Sequence, residues 1–100
     1  MEPLHQGDIL KIEKIQAPVL VVSKDFFNTS GEIIGCPIKS RGTAGPLHIW
    51  ASTKKTSGFV QCDKLALLDL SIRGYTKTDQ LPLPDMINIC DCIQSIFEYS

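Results

Sequence analysis

The sequence predicts a mainly β fold with one terminal helix (α+β): a small, strongly curved sheet or barrel with the helix packed on it. Short apolar runs rich in β-branched residues, Val19 to Val22 and Ile33 to Ile38, are too brief for helices and alternate with polar, Gly-containing connections. Only near the end, from Met86 to Phe97, do apolar residues recur at three- and four-residue intervals. The 100 residues, 43% hydrophobic and 21% charged, suffice for one core and leave no room for another, so a single domain is expected over 1–100.

Taken in order, Gly7 and Asp8 punctuate the start of a first strand through Ile9, Leu10 and Ile12. Its neighbours Lys11, Glu13 and Lys14 suggest a half-buried or edge position. Pro18 opens the second strand, where a missing amide hydrogen is tolerated, and Ser23 with Lys24, Asp25, Phe26 and Phe27 suggests a capped helical turn before Asn28 to Gly31 reverses the chain. The third strand, Ile33 to Ile38, contains Gly35 and Pro37, which fits a bulge or an edge-facing end. Lys39 to Gly45 has loop composition, Leu47, Ile49 and Trp50 make a fourth strand, and Ser52 to Gly58 is a polar connection. Phe59 to Leu70 reads as a strand through Cys62 followed by a bent segment, with one continuous helix as the rival. Tyr75 to Gln80 forms a short last strand after Gly74. Pro82 and Pro84 then lead into a helix with the stripe Met86, Ile89, Cys90, Ile93, Ile96 and Phe97. Isolated strand pairs are unstable, so this stripe and Trp50 are expected to complete the core. Phe26 and Phe27 either adjoin a dimer contact or fill the barrel end.

A formal net charge of -1 gives no global basic field, so any nucleic-acid contact must rest on a local cluster. Cys36, Cys62, Cys90 and Cys92 have no CxxC spacing and only His5 and His48 could join them, which argues against a zinc site; reduced, core-facing thiols without a redox role are expected. The start at Met1, Glu2, Pro3 and His5 has no cationic, apolar leader pattern, and no run is long enough to cross a membrane, so a cytoplasmic chain is expected.

The order of motifs resembles the MazF/PemK (Kid) toxin family: GDIL at 7–10, PVLVVSKDFFN at 18–28, GEIIGCPIKSR at 31–41 and FVQCDKLALLDLSIRG at 59–74. The resemblance implies an SH3-like barrel with a C-terminal helix, usually a homodimer, that cleaves single-stranded RNA without a metal or other cofactor and is silenced by a cognate antitoxin protein. The chemistry it implies is attack of a ribose 2′-hydroxyl on the adjacent phosphate, needing a base, an acid and a cation for the phosphorane charge.

By this resemblance Asp63 falls on the acidic residue of the family's D-Q motif, as base or orienting acceptor, with Lys64 at the Gln position. Ser40 falls on the second hydroxyl position of the tail after the third strand, with Lys39 where Thr usually stands and Arg41 following. Asp63 and Ser40 are thus the candidate catalytic residues, and Lys39, Arg41, Lys14 and Lys64 the candidate substrate-binding cations. The sequence departs from the family pattern in its short Glu13 to Ala17 loop, in Ala17 where an Arg precedes the Pro, and in Gln61 where Kid-like members carry Arg. Three functions follow: a toxin-type endoribonuclease, a catalytically degenerate module that binds antitoxin or nucleic acid, and, on thinner residue support, a protein-directed toxin of the gyrase-poisoning CcdB kind.

Overall fold

The computed structural model describes residues 3–97; Met1 and Glu2, on which the leader expectation partly rests, lie outside them. Seven strands and two helices follow in order: β1 (Asp8–Ile12), β2 (Val19–Val21), α1 (Asp25–Asn28), β3 (Glu32–Lys39), β4 (His48–Ser52), β5 (Ser57–Gln61), β6 (Ala66–Asp69), β7 (Tyr75–Gln80) and α2 (Leu83–Ser95). All pairings are antiparallel, in the path β4-β5-β3-β2-β1-β7, with β6 joined to β3 beside that path. The sheet curls without closing.

β3 is the hub. Its first half pairs β6 (Glu32↔Asp69 to Gly35↔Ala66), its end pairs β5 (Ile38↔Val60, Lys39↔Phe59), and on its other side its middle pairs β2 (Val21↔Gly35 to Val19↔Pro37). The expected bulge or edge is therefore replaced by a central strand. Pro37 is tolerated because the Ile38 amide donates to Pro18 across β2 at 2.8 Å, so the adjacent Pro37 nitrogen faces the opposite side, in the gap where β6 ends and β5 begins. β1 likewise proves to be interior, between β2 and β7, with only Lys11 exposed. Asp8 there is fully buried, its carboxylate accepting from Lys77 Nζ at 3.1 Å, Gln80 Nε2 at 3.2 Å and the His5 amide at 2.8 Å.

Strand alternation feeds two cores. Ile9, Leu20, Cys36, Ile38, Val60 and Cys62 meet Met86 and Ile89 of α2, while Leu10, Ile12, Val19, Val21, Ile33 and Leu70 pack on the other side. Met86, Ile89, Cys90 and Ile93 of the predicted stripe dock on the sheet, but Ile96 and Phe97 stay exposed. Pro84 sits in the first turn of α2, where its missing N–H costs nothing. α1 forms where a helical turn was expected, without a side-chain cap on its first residue. The bent segment after Cys62 resolves into a turn and β6. Trp50 corrects the expectation that it completes the core: at 55% exposure it stands on the outer face of β4, since Ile49 and Ala51 take the inward positions. Phe26 is exposed and Phe27 half-buried.

Candidate functional site

The outer face of β4, β5 and β3 gathers most of the polar and aromatic residues that chemistry could use. Residues directly opposite in an antiparallel ladder share a face, so His48 lies beside Gln61, Trp50 beside Phe59, and Ser52 beside Ser57, with Lys39 flanking Phe59 from β3. Gly58 makes this approach feasible: a Cβ there would sit 2.5 Å from the Lys39 carbonyl oxygen.

At one end stands Asp63, in the turn after β5. Its Oδ1 lies 3.1 Å from His48 Nε2, while His48 Nδ1 lies 3.3 Å from the Thr43 carbonyl oxygen. Both ring nitrogens thus face oxygen atoms that can accept a hydrogen bond. The side chains keep 31% and 39% of their surface in solvent, so the pair is reachable. Between them Gln61 is 9% exposed, and its Oε1 accepts no hydrogen bond among the described residues. Leaving a buried acceptor unpaired costs about 1–3 kcal/mol, which an arriving donor would recover.

At the other end the segment Gln16–Pro18, the end of β3 and the β4–β5 turn frame a groove of about 370 Å³ that includes Lys39, Ser40, Lys55 and Thr56. The Lys55 amide donates to Asp79 Oδ2 at 3.3 Å, which ties this turn to β7. Hydrogen bonding from Thr53, then from the Gln80 amide, holds the Asp79 carboxyl below the usual carboxylate range. Between the two ends Trp50 and Phe59 pack edge to face, centroids 5.1 Å apart at 73°.

The structure therefore brings Ser40 and Lys39 together, with Arg41 exposed next in the chain, but sets Asp63 apart from them. Asp63 follows Phe59, the partner of Lys39, by four residues, in the turn beyond the end of β5, and does not line the groove that holds Lys39 and Ser40. Lys64 is exposed beside Asp63, its amide closing the turn onto the Gln61 carbonyl at 3.1 Å. Lys14 does not line the Ser40 groove: the tight turn at Glu13 and Lys14, with φ 68° at Lys14, places it on a separate concavity of about 730 Å³ beside Lys11 and Tyr75. Sequence reasoning missed His48, Lys55 and the outward Trp50. The alternation His48-Ile49-Trp50-Ala51 carried a signal for the first and last of these, since Ile49 and Ala51 claim the inner face.

Elsewhere, burial pushes the Cys36 thiol up to about 12 and raises Cys62 as well, the Cys92 thiol adding to the latter. Among the described residues no three metal-ligating side chains come together, and no helix is long and apolar enough to cross a membrane.

A curled, open antiparallel sheet with a docked terminal helix and a cationic, hydroxyl-bearing groove on its outer face defines a small α+β class of protein. The profile of the "PemK-like, MazF-like toxin of type II toxin-antitoxin system" family matches residues 6–97, and the chain belongs to that family. Among solved structures, MazE-MazF (Form-I) from Deinococcus radiodurans is similar with a TM-score of 0.88 at 21% identity, covering 97% of this chain and 98% of that one. An endoribonuclease from a mycobacterial species gives 0.83 at 15% identity, covering 97% and 93%. The mycobacterial endoribonuclease in complex with its cognate antitoxin gives 0.79 at 14%, covering 99% and 100%. At these identities the likeness is one of fold. No curated protein sequence matches the chain significantly.

Proposed function

We propose that the protein is the toxin of a toxin-antitoxin pair and cleaves single-stranded RNA without a metal. The observation that carries the reading is the solvent-reachable His48–Asp63 pair on the same face as the Lys39–Ser40–Lys55 groove. Asp63 Oδ1 is engaged by His48, leaving Oδ2 to take the proton of a ribose 2′-hydroxyl. As the 2′-oxygen bonds to phosphorus and the P–O5′ bond breaks, the His48 imidazolium gives its proton to the leaving oxygen. Its longer, 3.3 Å contact to Thr43 is the one surrendered. The products are a 2′,3′-cyclic phosphate and a 5′-hydroxyl. Ser40, Lys39, Lys55 and Arg41 hold neighbouring phosphates, and Lys64 adds charge beside Asp63. Lys14, on its separate concavity, is assigned to a more distant part of the same strand.

A cognate antitoxin and a second copy of the chain are the protein partners of this reading, in a cytoplasmic setting. The antitoxin complexes among the similar structures support the first. The exposed Leu83 and Ile87, one turn apart on α2, offer apolar surface to either.

Incubating the protein with a long single-stranded RNA in chelator and mapping new 5′ ends tests the proposal; discrete 5′-hydroxyl ends are expected, and intact RNA across many sequences would refute it. The runner-up, binding without turnover, is favoured by one observation: the groove's cations are lysines, with Ala17 and Gln61 at the two positions where the family resemblance expects arginine. Salt-sensitive RNA binding with no new ends would select it.

A further inference from the structure

We propose that Cys62 and Cys92 form a reversible redox pair: a peroxide joins their sulfurs in a disulfide that clips α2 to the turn carrying Asp63 and slows the reaction at the His48–Asp63 pair. The slowing rests on the reading that this pair cleaves RNA; the disulfide itself does not.

Spacing hides the pair, since the two residues stand thirty positions apart in the chain. The fold brings them together. Cys62 directly follows β5 and is fully buried, while Cys92, on α2, packs against the same apolar cluster and stays half-buried, close enough for the two side chains to interact directly. Both also hold the two residues that lead into β4. The Cys62 amide donates to the Leu47 carbonyl at 2.9 Å, and the Cys92 thiol donates to the Pro46 carbonyl at 3.3 Å. His48 comes next after Leu47, and Asp63 next after Cys62. The thiols therefore meet against the backbone that carries the site. Cys90 is engaged elsewhere, its sulfur accepting from Gln6 Nε2 at 3.4 Å.

The two thiols divide the chemistry. Cys92 keeps part of its surface in solvent and meets the oxidant; burial, and then the Cys92 side chain, hold the Cys62 proton above the ordinary thiol range, which keeps Cys62 from reacting on its own. The Cys92 sulfur attacks one oxygen of hydrogen peroxide, the O–O bond breaks, and the departing hydroxide takes the Cys92 proton to leave as water. The Cys62 sulfur then attacks the Cys92 sulfenic acid: the S–S bond forms, the S–O bond breaks, and the Cys62 proton leaves with the hydroxyl as a second water. Two thiols are oxidised and one peroxide is reduced.

A covalent bond holds two sulfurs closer than packing does, and the linked Cys92 has no hydrogen left to give Pro46. The segment before His48 loses one of these anchors while Asp63 is drawn toward α2. The 3.1 Å contact of Asp63 Oδ1 with His48 Nε2 is thus disturbed from both sides.

The test treats the full chain with hydrogen peroxide and reads the product by mass, by histidine ring NMR and by RNA cleavage. Trypsin places Cys62 in residues 56–64, Cys36 in 25–39 and Cys92 with Cys90 in 78–100, so the linked peptides identify the pair. Loss of two hydrogen masses and a link between 56–64 and 78–100 are expected, reversed by dithiothreitol, retained in C90S and absent from C92S. C92S alters a half-buried position and leaves a hydroxyl to donate to Pro46, so it should fold. The chain has two histidines: on oxidation the ring signal of His48 should move while that of His5, paired with Asp25, stays. Cleavage should slow about tenfold or more in the oxidised protein, and peroxide should leave C92S unaffected. No link, or one that contains Cys36 or survives in C92S, overturns the pair. A Cys62–Cys92 link with an unmoved His48 signal and parental cleavage overturns its coupling to the site. A link that moves the His48 signal in a protein that cleaves no RNA in either state leaves the redox pair standing and removes the cleavage reading.

Discussion

Asp63→Asn separates chemistry from architecture more cleanly than any other change in this chain. It preserves the shape of the side chain and an oxygen able to accept from His48, and removes only the charge and the basicity. His48 and Asp63 keep 31% and 39% of their surface in solvent, and an ion pair that wet contributes about 0.2–1 kcal/mol to stability. For a domain of this size 1 kcal/mol corresponds to a Tm change of roughly 4–8 °C, so the variant should melt within about 8 °C of the parent. Loss of a general base instead costs on the order of 10²–10⁴-fold in rate, or about 3–5 kcal/mol of barrier. The assay pairs the initial cleavage rate of a defined single-stranded RNA in chelator with a melt in the same buffer. A fall of at least 100-fold with near-parental Tm is expected. A rate within threefold of the parent would refute the assignment, as would an activity loss that merely follows a large drop in Tm.

Asp8→Ala strips a fully buried carboxylate from Lys77, Gln80 and the His5 amide and should cost about 3–5 kcal/mol, read from urea midpoints; a loss under 1 kcal/mol would show that water replaces it freely. Gly58→Ala drives a methyl to 2.5 Å from the Lys39 carbonyl and should destabilise by about 1–3 kcal/mol while weakening RNA binding through the displaced Lys39 and Ser40; parental affinity would argue that the groove does not depend on this β3–β5 contact. Alkaline stability follows Cys36. Its folded pKa of about 12 exceeds the unfolded value of 9.0, so the folded state holds the proton longer: stability is unaffected below pH 9 and falls between pH 9 and 12, by about 1.4 kcal/mol per unit and about 4 kcal/mol in all. Urea midpoints from pH 7 to 11 should fall less steeply in Cys36→Val, and an unchanged slope would refute the cause.

Much of the fold is written in local pattern. The β-branched runs marked β2 and β3, and Pro82 with Pro84 marked where α2 begins, because these signals act within a few residues. What remained illegible was pairing. Pro37 suggested an edge because sequence alone does not show that β3 changes partner from β6 to β5 at that residue. Trp50 looked like core because a large apolar side chain is costly to expose, and only the register with Phe59 reveals the outward face. The site divides similarly. Lys39 and Ser40 are adjacent in sequence and share the groove, whereas His48 and Asp63 are fifteen residues apart and meet only through the β4–β5 hairpin.

The bond from the Lys55 amide to Asp79 joins the turn after one terminal strand of the sheet path, β4, to the opposite terminal strand, β7. Free strand edges are templates on which further chains can add, the first step toward fibrillar aggregation. Curling the sheet until its ends are laced by a carboxylate denies an incoming strand room at that corner and puts charge where it would dock. The contact that sets Lys55 into the groove thus also works as a guard on the rim, protecting a small β-rich protein from assembling with itself in the wrong way.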